Sequence, residues 1–199
     1  MSGSNQATSF AAPTLLDTML PAAADNWLYK IILVLAGTAL LTVSAKINVP
    51  FYPVPMTMQT FAVLVIGMAF GWKLGGLTVL AYLLEGAVGL PVFAGTPVKG
   101  IGLAYMAGPT GGYLIGFLVS TVTVGFLAEK GFDRSVLTTL VAMVIGTALI
   151  FLCGYTWLSS LIGLAKAFQF GVLPFIWGAA FKIALATAIL PLGWKVLKR

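Results

Sequence analysis

From residue 27 onward, long apolar runs alternate with short interruptions, and the charged residues fall mostly at the interruptions. The first run, 27–47, has the roughly 20 residues that a membrane-spanning helix needs. Trp27 and Tyr29 suit the aromatic belt at a membrane surface, and Lys30 stands at the same end. Next comes 48–58, NVPFYPVPMTM, with prolines at 50, 53 and 55. Proline cannot continue a helix, and it pushes the residue before it toward extended geometry. Thr57 is placed to cap a second helix over 57–70, with Gln59 in its first turn. That helix is short for a full span, so the proline segment must dip into the protein. Gly71, Trp72 and Lys73 form a turn into a third helix, 74–88, which carries Glu85 near its far end. A fourth helix is predicted over 111–128, a polar turn over 129–135, and a fifth helix over 136–159. A short linker with Lys166 leads to a sixth helix, 171–197, with Pro174 in its first turn, Lys182 in mid-run and Pro191 near its end.

One stretch breaks this rhythm. Residues 85–117, EGAVGLPVFAGTPVKGIGLAYMAGPTGGYLIGF, are too rich in Gly and Pro for one helix and too apolar for a solvated loop. Irregular backbone at membrane depth is tolerated only where it packs in protein or lines a cavity, since lipid cannot satisfy its N–H and C=O groups. The segment is therefore either the wall of a small-molecule pocket or a packed connection between helices.

Composition settles the class. The 199 residues are 60% hydrophobic and 8% charged, against about 25% charged in soluble domains. The expected fold class is all-α, a membrane protein of six transmembrane helices. Residues 1–26 are read as a loosely ordered cytoplasmic segment in which Leu15, Leu16, Met19 and Leu20 form one interfacial turn, and 27–199 as one six-helix substrate-binding domain. No basic region precedes an apolar stretch with a cleavage site, so no signal peptide is read at the N-terminus. No tandem repeat is evident, and the two halves do not match as an inverted-repeat transporter would.

With six crossings the termini share a side. Lys30, Lys73, Lys130, Arg134, Lys195, Lys198 and Arg199 collect there, against Lys46, Lys99 and Lys166 opposite. The excess of basic residues places both termini in the cytoplasm, which leaves the irregular apolar connections on the outer face. The net charge of +6 is spread along the chain rather than gathered into a nucleic-acid-binding patch, so no nucleic acid is expected.

Candidate chemistry is sparse. With no histidine and one cysteine, Cys153, a Cys/His metal site and an internal disulfide are excluded. No carboxylate pair, phosphate-binding loop or metal-ligand spacing appears, and an enzyme reading is left with a Ser/Lys dyad of Lys182 with Ser44 or Ser120 that no spacing favours. Ionisable groups inside membrane segments are costly and mark function by default. Lys182 and Glu85 qualify, either as an ion pair with each other or as two groups facing one ligand. Gln59, Tyr82, Tyr105 and Tyr113 add hydrogen-bonding groups near the same level. Phe51, Phe93, Trp157 and Phe175 offer apolar walls. Gly37, Thr38, Thr42 and Ala45 thin one side of the first helix, for internal packing or for docking of another membrane subunit.

Five stretches carry a family resemblance: PVPMTMQTF (53–61), YLLEGAVGLPVFAGT (82–96), YMAGPTGGYLIGF (105–117), LAEKGFDRS (127–135) and the G-x-x-x-K of Gly178 and Lys182. On these the chain resembles the BioY family, the biotin-binding S components of energy-coupling-factor (ECF) transporters. The resemblance implies an S-component fold in a bacterial cytoplasmic membrane, multi-pass, that captures biotin in an outward-facing pocket. A transmembrane coupling subunit and two ATPase subunits are the implied partners, with ATP hydrolysed on those subunits and no cofactor in this chain. It also implies that Lys182, the capping loop and the third-helix region contact the vitamin. The substrate-binding set expected is therefore Lys182, Glu85, Gln59, Tyr82, Phe93, Tyr105 and Trp157. Many members carry an acidic residue where this chain has Ala179, and Glu85 is expected to supply the missing acceptor. The Ala-x-x-x-Ala pattern that S components often use for docking is not intact here, and Thr38, Thr42 and Ala45 are its nearest equivalents. The alternatives are an uptake subunit for another small vitamin and a helix bundle that binds nothing.

Overall fold

The computed structural model describes residues 12–21, 26–49 and 52–197. Phe51, Lys198, Arg199 and most of the N-terminal segment lie outside the described residues. In chain order the elements are α1 (Leu15–Met19), α2 (Trp27–Lys46), β1 (Asn48–Val49), β2 (Met56–Thr57), α3 (Gln59–Ala87), α4 (Gly102–Met106), α5 (Gly111–Glu129), α6 (Val136–Ile162), α7 (Leu164–Gly171), a 3-10 turn (Leu173–Phe175) and α8 (Ile176–Leu197).

The 29-residue α3 is a hairpin of two limbs rather than one rod. Gly71 breaks it with φ 75 and ψ 177, a left-handed φ that glycine alone adopts at little cost. A Cβ placed on Gly75 would stand 3.3 Å from the Gly67 Cα. Eight residues of straight helix would separate the two by about 12 Å. Past the break, the Trp72 N–H donates to Glu129 Oε1 at 3.3 Å, tying the turn to the end of α5. Among the described residues, five helical stretches are long and apolar enough to cross a membrane. With α3 counted as two limbs, the bundle makes six crossings, as the turn at 71–73 predicts.

Small residues let the crossings approach closely, which is how helices associate where water exerts no drive. A Cβ on Gly125 would fall 2.5 Å from the Trp72 nitrogen, and one on Gly146 would fall 2.4 Å from a Leu64 methyl. The outward face of α2 is apolar, with Leu28, Ile31, Ile32 and Leu35 exposed. Such a surface is stable against acyl chains and would be costly in water.

Two departures from the sequence reading concern the ends of the bundle. Residues 15–19 form the single turn expected, but as a capped helix packed on the terminal end of the bundle rather than within a loosely ordered segment. Thr14 and Asp17 make a reciprocal capping box, and Leu15 is buried in a cluster with Met68, Val124, Leu190 and Trp194. The Ala12 N–H donates to Glu129 O at 2.8 Å. At the opposite end, the expected linker is the short helix α7. Gly163, at φ 84, ends α6. α7 turns Ala167 and Gly171 inward while Leu164 and Phe168 stay exposed. Pro174 sits in the 3-10 turn, so α8 starts at Ile176 and Lys182 lies in its second turn.

Candidate functional site

A cavity opens at the end of the bundle away from the termini. It takes in about 710 Å³ of space between atoms, the open solvent at its mouth included. Two irregular segments roof it. The two ends of the proline-rich segment pair as antiparallel strands of two residues each, Asn48 with Thr57 and Val49 with Met56. That segment brings Val54 and Pro55 to the cavity. The second segment, 88–101, arches over as a strap whose Ala94 reaches the lining.

Below the roof, α3, α5, α6 and the 3-10 turn supply a mostly apolar wall of Leu64, Leu114, Phe117, Ile150, Phe151 and Phe175. Polar groups are few. Thr57, Gln59, Thr60, Tyr105, Thr110, Tyr113 and Thr147 carry hydroxyls or an amide, and Lys182 carries the one charge among the described lining residues. Lys182 is 9% exposed. Its ammonium donates to Thr57 O and to Thr60 Oγ1 at 3.0 Å. A lysine has three N–H donors, so one remains for a ligand acceptor. Ala179, one turn earlier on α8, also lines the cavity. The lysine is thus oriented by threonines of α3 and the β2 end, not by a carboxylate on its own helix.

The tyrosines hold the roof in place. Tyr105 donates to Ala94 O at 2.8 Å, and burial pushes its hydroxyl above the ordinary tyrosine range, keeping it a donor. Tyr113 donates to Gly171 O at 2.7 Å, which pins α7 to α5. Gln59 Nε2 donates to Tyr82 Oη, and Tyr82 in turn donates to Val92 O.

Lys182, Gln59 and Tyr105 of the expected set line the cavity. Tyr82 and Phe93 stand behind the lining, with Phe93 stacked on Tyr105 at 5.1 Å and edge-on to Tyr82 at 5.4 Å. Glu85 is half-buried and is neither a lining residue nor a partner of Lys182. Of the two expected roles, an ion pair with Lys182 and a place facing the ligand, Glu85 takes neither, since this part of α3 packs against the strap through Tyr82 and Gly86. Trp157 is corrected too: its indole donates to Gly108 O at 2.9 Å and borders a separate groove. Ser44 and Ser120, the imagined nucleophiles, do not line the cavity.

The docking residues need the same correction. Thr38 and Ala45 are buried, and Thr42 is half-buried. A Cβ on Gly37 would meet the Thr78 methyl at 2.4 Å, so the thin side of α2 packs on α3 and serves internal packing.

Sequence reasoning missed Thr60, Thr110, Thr147, Leu114, Ile150 and Phe151. Single threonines and apolar residues in a chain this oily carry no local mark. A faint signal existed in spacing, because Thr147, Ile150 and Phe151 share one face of α6.

Comparison with known proteins agrees with this architecture. Residues 15–199 match the model of the BioY family. The probable biotin transporter BioY of Pyrococcus horikoshii is 42% identical over 161 residues, 80% of this chain and 93% of that protein. The biotin transporter BioY of Thermotoga maritima is 41% identical over 153 residues, 76% and 88% of the two chains. The crystal structure of the S component for biotin from an ECF-type ABC transporter superposes with a TM-score of 0.72 at 28% identity, covering 84% of this chain and 92% of that one. By the family match and by these relatives, the chain belongs to the BioY family.

Proposed function

We propose that this chain captures biotin in the roofed cavity and serves as the substrate-binding membrane subunit of an ECF-type transporter. The observation that carries this reading is the cavity itself, an apolar chamber with one fixed ammonium and a scatter of neutral hydrogen-bonding groups. Biotin has matching parts: an apolar body, a ureido ring and a carboxylate. Lys182 offers its remaining N–H to an acceptor on the vitamin, while the hydroxyls of Thr110, Thr147 and Tyr113 meet the other polar groups. The aromatic and aliphatic wall takes the hydrocarbon and thioether portions. Neutral polar groups replace the acidic residue of other members at the Ala179 position.

Both termini face the cytoplasm of the cell that imports the vitamin, so the roofed end opens outward. The basic residues at the terminal end support that orientation. Translocation then draws its energy from partner subunits, a membrane coupling protein and ATPases, since this sequence carries no phosphate-binding loop. The exposed apolar faces of α2 and α6 are the surfaces open to lipid or to such a coupling protein.

Isothermal titration of the detergent-solubilised protein with biotin tests the proposal. Saturable binding of one biotin per chain is expected, with other vitamins binding far more weakly. Absence of biotin binding to folded protein, or equal binding of an unrelated vitamin, would overturn it.

A further inference from the structure

The strap over the cavity is irregular backbone whose carbonyls need donors. Two of them face α3 and α4, where Tyr82 takes Val92 O and Tyr105 takes Ala94 O. Both tyrosines belong to the elements that the strap itself joins. Three other carbonyls, with one threonine hydroxyl, converge on a residue far away in sequence. At the last turn of α2, the Lys46 ammonium donates to Pro91 O at 2.7 Å, Phe93 O at 3.0 Å, Thr96 O at 3.3 Å and Thr96 Oγ1 at 3.2 Å. Thr96 Oγ1 gives its own proton to Phe93 O at 2.6 Å, which leaves its lone pairs to the lysine. Among the described residues, these are the hydrogen bonds that tie segment 88–101 to an element outside its own flanks.

We propose that Lys46 is a releasable latch, a positioning residue through which α2 holds the strap shut over the ligand cavity. Three features of the arrangement support this role. The partners are neutral oxygens with no carboxylate among them, so water replaces them at moderate cost, unlike a buried ion pair. Lys46 is an exposed residue, so that water is at hand. The strap it grips contributes Ala94 to the cavity lining and carries Phe93 wedged between two tyrosines. Loosening the latch therefore moves a wall of the site. Lys99 belongs to the same strap and has the same charge, with its stem lying over Gly95 of the strap itself, which makes it an internal control.

The effect on biotin rests on the function proposed above, but the latch can be read without biotin. Cys153 is replaced by Ala, Ala94 by Cys, and the rate at which a water-soluble maleimide modifies the buried thiol is measured in detergent. Lys46→Met is expected to raise that rate at least about tenfold, the worth of one charge-assisted hydrogen bond lost from the closed state. Lys46→Arg is expected to restore most of the protection, and Lys99→Met to leave the rate unchanged. With Ala94 native, Lys46→Met is expected to speed biotin dissociation by a similar factor. Lys46→Gln, which keeps a neutral donor, gives the same direction of change if the methionine variant does not fold. An unaltered labelling rate in the Lys46 variants overturns the latch. So does an equal effect of Lys99→Met, which assigns the change to net charge. Failure of the unmodified protein to bind biotin would refute the proposed function, while the labelling rates would still report on the latch.

Discussion

Gln59 Nε2 and Tyr82 Oη lie 2.6 Å apart, although 23 residues separate them within the single stretch α3. A continuous helix would hold them about 35 Å apart. The hydrogen bond exists because Gly71 folds α3 back on itself, and it joins a cavity-lining amide to the tyrosine that holds the strap at Val92 O. Tyr82→Phe removes both contacts and leaves a buried carbonyl without its donor. A loss of about 1–3 kcal/mol in stability is expected, read as a lower melting temperature in detergent together with weaker biotin binding. Unchanged melting and binding would show that the chain Gln59–Tyr82–Val92 contributes nothing.

Lys182→Met keeps the length of the side chain and removes the charge. Biotin affinity is expected to fall ten- to a hundredfold, about 1.5–3 kcal/mol for a lost charge-assisted hydrogen bond. Folding is expected to suffer little, because the desolvation cost of the buried charge goes with it and offsets the donor lost to Thr57 O. Titration calorimetry decides the point, and native affinity in the variant would dismiss the lysine from the site.

Glu85 looks from sequence like a second ligand group, but the geometry places it off the cavity. Glu85→Gln is therefore expected to leave biotin affinity within about twofold, as for a substitution remote from the site. A larger loss measured by the same titration would restore Glu85 to the binding set.

Gly86 faces the Phe93 ring so closely that an added Cβ would stand 2.0 Å from it. Gly86→Ala must push the ring, and the strap with it, out of its seat between Tyr82 and Tyr105. Overpacking of this kind costs about 1–3 kcal/mol. Thermal unfolding with and without biotin is the test, and a variant as stable as the parent in both conditions would contradict the packing described.

Asp133, in the turn before α6, accepts from the Trp194 indole at 2.6 Å while its other oxygen is buried without a partner. Burial pushes its carboxyl above the usual range, and the Trp194 bond offsets this only in part. An acid whose pKa is raised on folding destabilises the folded state when ionised. Its destabilising effect is absent below the unfolded value, about 3.9, and grows as pH rises through the folded one. Melting temperature should accordingly fall over that interval, and Asp133→Asn should flatten the slope. An identical pH profile in the variant would exclude Asp133 as its origin.

The number of membrane crossings, the turn at Gly71 and the two roof segments were legible in the chain, because each depends on local chemistry. Apolar runs of spanning length, prolines at 50, 53 and 55, and a glycine at a break act on their own neighbours. Lys182 was legible for a related reason, since a charge within an apolar run is expensive wherever it falls. What the tertiary structure alone decided is which way each residue faces. Glu85 and Tyr82 are three residues apart on α3, yet Tyr82 is fully buried and Glu85 stays off the cavity. Thr38 and Ala45 make α2 thin, but only its packing against Thr78 shows that the thin side looks inward. Lys46 meets the strap across 45 to 50 residues, a pairing that no local pattern encodes. In a sequence where apolar residues cover both the lipid face and the core, hydrophobicity no longer distinguishes inside from outside, and only the packing of helix on helix assigns the faces.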